Sequence, residues 1–142
     1  MGTNIARFVV VALALTAGLT LSGCTVNTSG VSAFDREQAA EDEVPTAILE
    51  QSDLAPNSTR LLAEIEETPY FAARMVNSSN LCLVHVRDKD DWGVACSPGL
   101  PLTSTGSDGK EVLFTAGGRL PDANGWHFVA DNIAIRDASS GE

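Results

Sequence analysis

The sequence is poor in the residues from which active sites are most often built. It holds two histidines, His85 and His127, and three cysteines, Cys24, Cys82 and Cys96. None of them stands at a C-x-x-C or H-x-x-x-H spacing, so neither a zinc site nor a redox dithiol is signalled. No Gly-x-Ser-x-Gly turn occurs, so the elbow that presents a serine nucleophile is missing. Basic residues are also scarce, with 9 Lys and Arg against 19 Asp and Glu and a net charge of −10. That balance argues against nucleic acid or an anionic lipid surface as a partner. No uncharged apolar run reaches the roughly 20 residues of a membrane span.

What is present begins with the first 24 residues. Met1–Arg7 carries one charged side chain, Arg7, and Phe8–Leu21 is apolar and uncharged. That length fits the apolar core of a secretory signal peptide. It is followed by Leu21-Ser22-Gly23-Cys24: an aliphatic residue, two small ones and a thiol. This tetrapeptide resembles the lipobox of bacterial lipoproteins. The resemblance implies cleavage after Gly23, a diacylglyceryl group on the Cys24 sulfur, and a location on the extracytoplasmic face of a cell membrane. Two acyl chains on one residue give stable anchoring where one chain would be marginal. No twin-arginine pair is present, which points to the general secretion route.

Cleavage after residue 23 leaves 119 of the 142 residues, and the loss of Arg7 takes the net charge from −10 to −11. That length suits one small domain with a tether. Residues 24–56 read as an acidic, flexible tether. Asp35, Glu37, Glu41, Asp42 and Glu43 stand there against Arg36, and such segments bury too little surface to offset chain entropy. A short helix over Arg36–Glu43 would be capped by Asp35 and stopped by Pro45. Such a tether holds the domain off the bilayer, with Ile48, Leu49 and Leu54 able to dock back.

Residues 57–136 carry the folded domain, and 137–142 form a tail. The pattern has period two and is broken by turn clusters, which predicts antiparallel strands. Pro69–Val76, Leu81–Val86 and Trp92–Ser97 are separated by Asn77–Asn80 and Arg87–Asp91, both rich in turn formers. Thr59–Ile65 fits a strand better than a Ser58-capped helix. Short extended pieces follow at Gly99–Thr103, Val112–Ala116, Trp126–Val129 and Ile133–Arg136. The expectation is an all-β domain, a meander of five to seven strands curled into a sandwich or half-barrel.

Register can be tested against side-chain type. Centring the second hairpin on Lys89 pairs Val86 with Trp92, Val84 with Val94 and Cys82 with Cys96. Centring the first between Ser78 and Ser79 pairs Met75 with Cys82, Ala73 with Val84 and Phe71 with Val86. One face then collects Phe71, Ala73, Met75, Cys82, Val84, Val86, Trp92, Val94 and Cys96, all apolar or cysteine. A one-residue slip would break that sorting. With Cys24 acylated, Cys82 and Cys96 are the remaining pair in an oxidising compartment, and a disulfide between them is expected. Closing that loop stabilises by about 3 kcal/mol.

The other face mixes Tyr70, Arg74, Leu83 and His85, an aromatic, cationic and apolar set that makes it a candidate contact surface. Both histidines read as structural or solvent-facing, and Trp92 and Trp126 as core. Asp88-x-Asp90-Asp91 opens like a calcium loop, but Gly99 stands where the closing glutamate is needed. Gly106–Lys110 has Ser104 where a phosphate loop needs its first glycine. Both are turns. No catalytic residue, metal or cofactor is assigned.

The domain is similar to small, uncharacterised actinobacterial lipoproteins. The shared features are Ser58-x-Arg60-Leu61-Leu62, Tyr70-Phe71-Ala72-Ala73-Arg74, Cys82-Leu83-Val84, Trp92 followed by Cys96, and Gly125-Trp126 with Asp131-Asn132-Ile133. The resemblance implies a fold and a location but no reaction. The expected role is structural, accessory or binding, toward an envelope protein or a cell-wall component. The alternatives are a small hydrolase or metal-dependent enzyme pairing a histidine with carboxylates, and a ligand-sensing domain.

Overall fold

The computed structural model describes residues 29–106, 108–118, 120 and 125–138. The expected signal segment 1–23, Cys24 and the expected tail from residue 139 lie outside the described residues. The fold is all-β: two four-stranded antiparallel sheets and one short helix. The first sheet is a meander of β1 (Arg60–Ile65), β2 (Thr68–Arg74), β3 (Leu81–Val86) and β4 (Trp92–Ser97). The second contains β5 (Leu102–Thr105), β6 (Lys110–Phe114), β7 (His127–Ala130) and β8 (Ile133–Asp137), in the order β5-β6-β8-β7. Eight strands therefore replace the expected five to seven, because short extended pieces such as β5 find full partners. Leu102 to Thr105 pair with Phe114 to Glu111.

The hairpin between β3 and β4 has the predicted register, with Cys82 opposite Cys96 and Val84 opposite Val94. Cys82 and Cys96 form a disulfide. The hairpin between β2 and β3 is shifted by two residues: Ala73 faces Cys82 and Phe71 faces Val84. The tip is longer than expected, and Met75 instead bridges Leu54. A shift of two keeps every side chain on its face, since the strand repeat is two residues.

Both faces of the first sheet are buried at its central strands, β2 and β3. Phe71, Ala73, Cys82 and Val84 pack under Val44, Ile48 and Leu54. Tyr70, Ala72, Leu81 and Leu83 pack between the sheets against Val112, Phe114 and Ile133. The outer face of the second sheet holds a smaller cluster of Leu113, Trp126 and Ala134.

Residues 24–56 were expected to be a tether; from Ser29 onward they belong to the fold. Val31 is fully buried between the sheets, and Ile48 is buried on the outer face. The helix α1 spans Thr46–Ser52 and starts after Pro45 rather than stopping before it. Proline tolerates the first positions of a helix, where its missing N–H would have no partner. The expected helix over Arg36–Glu43 is replaced by one short 3-10 turn, Ala40–Asp42, and a second, Ser32–Asp35, precedes it.

Glu66 and Glu67 make the two-residue turn between β1 and β2, with Ile65 paired to Thr68. Both are left-handed, at φ 48° and 62°. Hairpins favour this turn for its twist, but side chains other than Gly and Asn are strained in it. Glu66 retains an ion pair with Lys110. Glu67→Gly is therefore expected to stabilise the fold by about 1 kcal/mol, read as a raised urea midpoint at unchanged slope. A lowered midpoint would mean that the turn stores no strain.

Candidate functional site

The sheets join through the β4–β5 connection at one side, and at the other the edge strands β1 and β7 approach each other. The N-terminal segment is inserted along this second seam. Its position is set by two buried polar side chains.

The first is Asn132, in the turn between β7 and β8 and 2% exposed. Its Oδ1 accepts from the Ser32 amide at 2.9 Å and from Ser32 Oγ at 2.8 Å. Its Nδ2 donates to the carbonyls of Gly30 at 3.1 Å and Thr115 at 2.9 Å. All four hydrogen-bonding places of the amide are filled. Gly30 must be glycine here: its φ is 72°, and a Cβ would stand 2.9 Å from that of Ala116.

The second is Asp42, which is fully buried. Arg36 grips it with both terminal guanidinium nitrogens, Nη1 donating to Oδ2 and Nη2 to Oδ1. Its carboxylate also accepts from the amides of Ala39 at 2.8 Å and Leu61 at 2.7 Å. Leu61 lies on the edge strand β1, at a register shift. Asp42 thus caps a sheet edge that would otherwise present an unpaired N–H. Burial pushes this carboxyl up, but the Arg36 hydrogen bonds and the two amides outweigh it and hold the pKa at about 2.

Two open clefts flank the inserted segment. One of about 460 Å3 lies between Ser32, Arg36, Leu61, Leu62 and Asp131. The other, of about 560 Å3, is walled by Ser32, Gly117, Gly118, Phe128 and Val129. Among the described residues, no group of three or more His, Cys, Asp or Glu is placed to hold a metal. The first cleft mixes Leu61 and Leu62 with the polar and charged side chains of Ser32, Arg36, Asp131 and Asn132, and the second sets Phe128 and Val129 beside Ser32 and Asp131.

The residues singled out as a contact face lie elsewhere. Tyr70 is 8% exposed and Leu83 2%, both covered by the second sheet. The Arg74 guanidinium stacks 4.2 Å over the ring of Phe34, a residue assigned to the tether. His85 sits 5.9 Å from the Tyr70 ring and directly over Gly93, where a Cβ would come within 2.4 Å of its Cε1. Burial lowers its pKa, Asp91 opposes that, and Arg87 adds to it. The four do share a face, as predicted, but that face is mainly interior rather than open surface. His127 is exposed on β7.

Both tryptophans are packed. Trp92 lies against the cluster under α1, and Trp126 lies beneath the Arg136 guanidinium at 4.4 Å. Asp88 accepts from the amides of Asp90 and Asp91 and makes a hairpin tip. Gly106 and Lys110 close the β5–β6 hairpin through Gly106 N–H to the Lys110 carbonyl at 2.8 Å. The seam itself was missed by sequence reasoning. Asp131-Asn132-Ile133 stood out as a short motif, but nothing marked Asn132 as the residue that binds a segment 100 positions away. The chain matches no family model, no curated protein and no solved structure.

Proposed function

We propose that the chain is a lipid-anchored protein of the bacterial envelope, held on the extracytoplasmic face of a membrane through a diacylglyceryl group on Cys24. Its β-domain acts by contact, in a structural, accessory or binding role toward an envelope protein or a cell-wall component. The observation that carries this reading is Leu21-Ser22-Gly23-Cys24 directly behind an uncharged apolar run. The Cys82–Cys96 disulfide supports it, since such bonds persist in oxidising compartments and are rare in the cytosol. Among the described residues no helix is long and apolar enough to cross a membrane.

The test is incorporation of radiolabelled palmitate in cells. The wild-type chain takes up label and sediments with membranes; Cys24→Ala takes up none and is released. An unlabelled wild type overturns the reading.

A further inference from the structure

We propose that the β7 edge, through Phe128 and Val129 and the cleft beside them, is a docking surface for the lipid bilayer that carries the anchor. This rests on the lipidation of Cys24. The first argument is reach. Val31 is fully buried between the sheets, so the length of chain between the anchor and the fold is not the thirty residues that the acidic sequence suggests. From Cys24 to Ser29 there are five Cα steps, which span at most about 18 Å even when fully extended. The domain is therefore kept at the membrane rather than held away from it.

The second argument is direction. The chain enters the fold at Gly30, whose carbonyl accepts from the Gly117 amide at 2.8 Å and from Asn132 Nδ2. Gly117, Ser32, Phe128 and Val129 wall one cleft. The described chain thus begins beside the cleft walled by Phe128 and Val129, which puts the β7 edge on the side of the anchor.

The third argument is surface chemistry. Phe128 is 38% exposed and Val129 41%, and they are neighbours in sequence. Adjacent residues of a regular strand point to opposite faces, but the register shifts between Phe128 and Ala130. Such an irregularity re-aims side chains, and here it leaves both apolar groups in solvent. An acidic chain gains nothing from anionic head groups, so contact here is apolar and best on a neutral bilayer. A weak contact suffices, because tethering raises the effective concentration of surface and membrane toward each other.

The test replaces Phe128, and separately Val129, with the photo-crosslinker benzoylphenylalanine in the full lipidated chain. The protein is reconstituted in phosphatidylcholine vesicles containing radiolabelled phospholipid. The same probe at Thr103, exposed on β5 at the opposite edge of the second sheet, is the reference. Using two positions guards against one of them misfolding. The expected result is several-fold more lipid adduct at 128 and 129 than at 103. Equal yields at all three positions overturn the proposal. So does a covalent dimer at 128 and 129 in place of lipid adduct, which would assign the edge to a second copy. Palmitate incorporation is read on the same samples: acyl label without the adduct refutes docking alone, and its absence refutes the anchor as well.

Discussion

Asn132→Ala is expected to destabilise the fold by about 2–4 kcal/mol, a large share of the 5–15 kcal/mol typical of a small domain. The side chain is 2% exposed and joins three segments that are distant in sequence: Gly30–Ser32, Thr115 and its own turn. Truncation leaves the Thr115 carbonyl and the Ser32 amide without these partners. The Gly30 carbonyl keeps the Gly117 amide, which limits the loss. Asn132→Asp separates shape from chemistry. It matches the amide in size and still accepts from Ser32, but it turns an anionic oxygen toward the two carbonyls that Nδ2 now serves. At pH 7 it should cost at least as much as alanine, with part of the loss recovered on acidification as the carboxyl protonates. Urea unfolding followed by tryptophan fluorescence checks both. An Asn132→Ala variant within about 0.5 kcal/mol of wild type would show the clamp to be dispensable.

How legible the fold was depended on whether the information was local. β3 and β4 were readable to the residue, because alternation and a charged turn lie within one short stretch. The Cys82–Cys96 pairing followed from that hairpin's register together with the expectation that Cys24 is acylated. The β2–β3 register erred by two, since Met75 is taken by Leu54, a residue 21 positions upstream. The N-terminal segment was misread for a related reason. Its buried apolar residues, Val31, Val44, Ile48 and Leu54, are widely spaced and follow neither a helical nor a strand period across the segment. Each fills a place on a sheet that sequence alone does not display. The same holds for the candidate contact face. Tyr70, Arg74, Leu83 and His85 were grouped correctly by parity, but whether a second sheet covers that group is a tertiary fact. The β7 edge was hidden by its own irregularity, because ideal alternation would have turned one of Phe128 and Val129 inward.

Asp42 is the other side chain on which the packing of the N-terminal segment depends, and its loss should show both in stability and in pH dependence. Asp42→Ala removes the acceptor for Arg36, Ala39 and Leu61 together. The Arg36 side chain is 45% exposed and can return to water, so the expected cost is about 3 kcal/mol, at the low end for breaking a buried pair. The folded carboxyl titrates at about 2 against an ordinary value of 3.8. A depressed folded pKa means that the unfolded chain binds the proton more tightly. The stabilisation is therefore complete above about pH 4, where both states are ionised, and is lost as the pH falls through about 2. That difference is worth roughly 2 kcal/mol by the linkage relation. Other carboxylates also titrate in this range, but Asp42→Asn shares them, so the gap between wild type and variant isolates this one group. The gap should be constant from pH 7 to 5 and narrow below 4, by urea midpoints taken at each pH. A gap that stays the same down to pH 2 would mean that the charge on Asp42 contributes nothing, leaving the segment to the Asn132 hydrogen bonds and to packing at Val31 and Ile48.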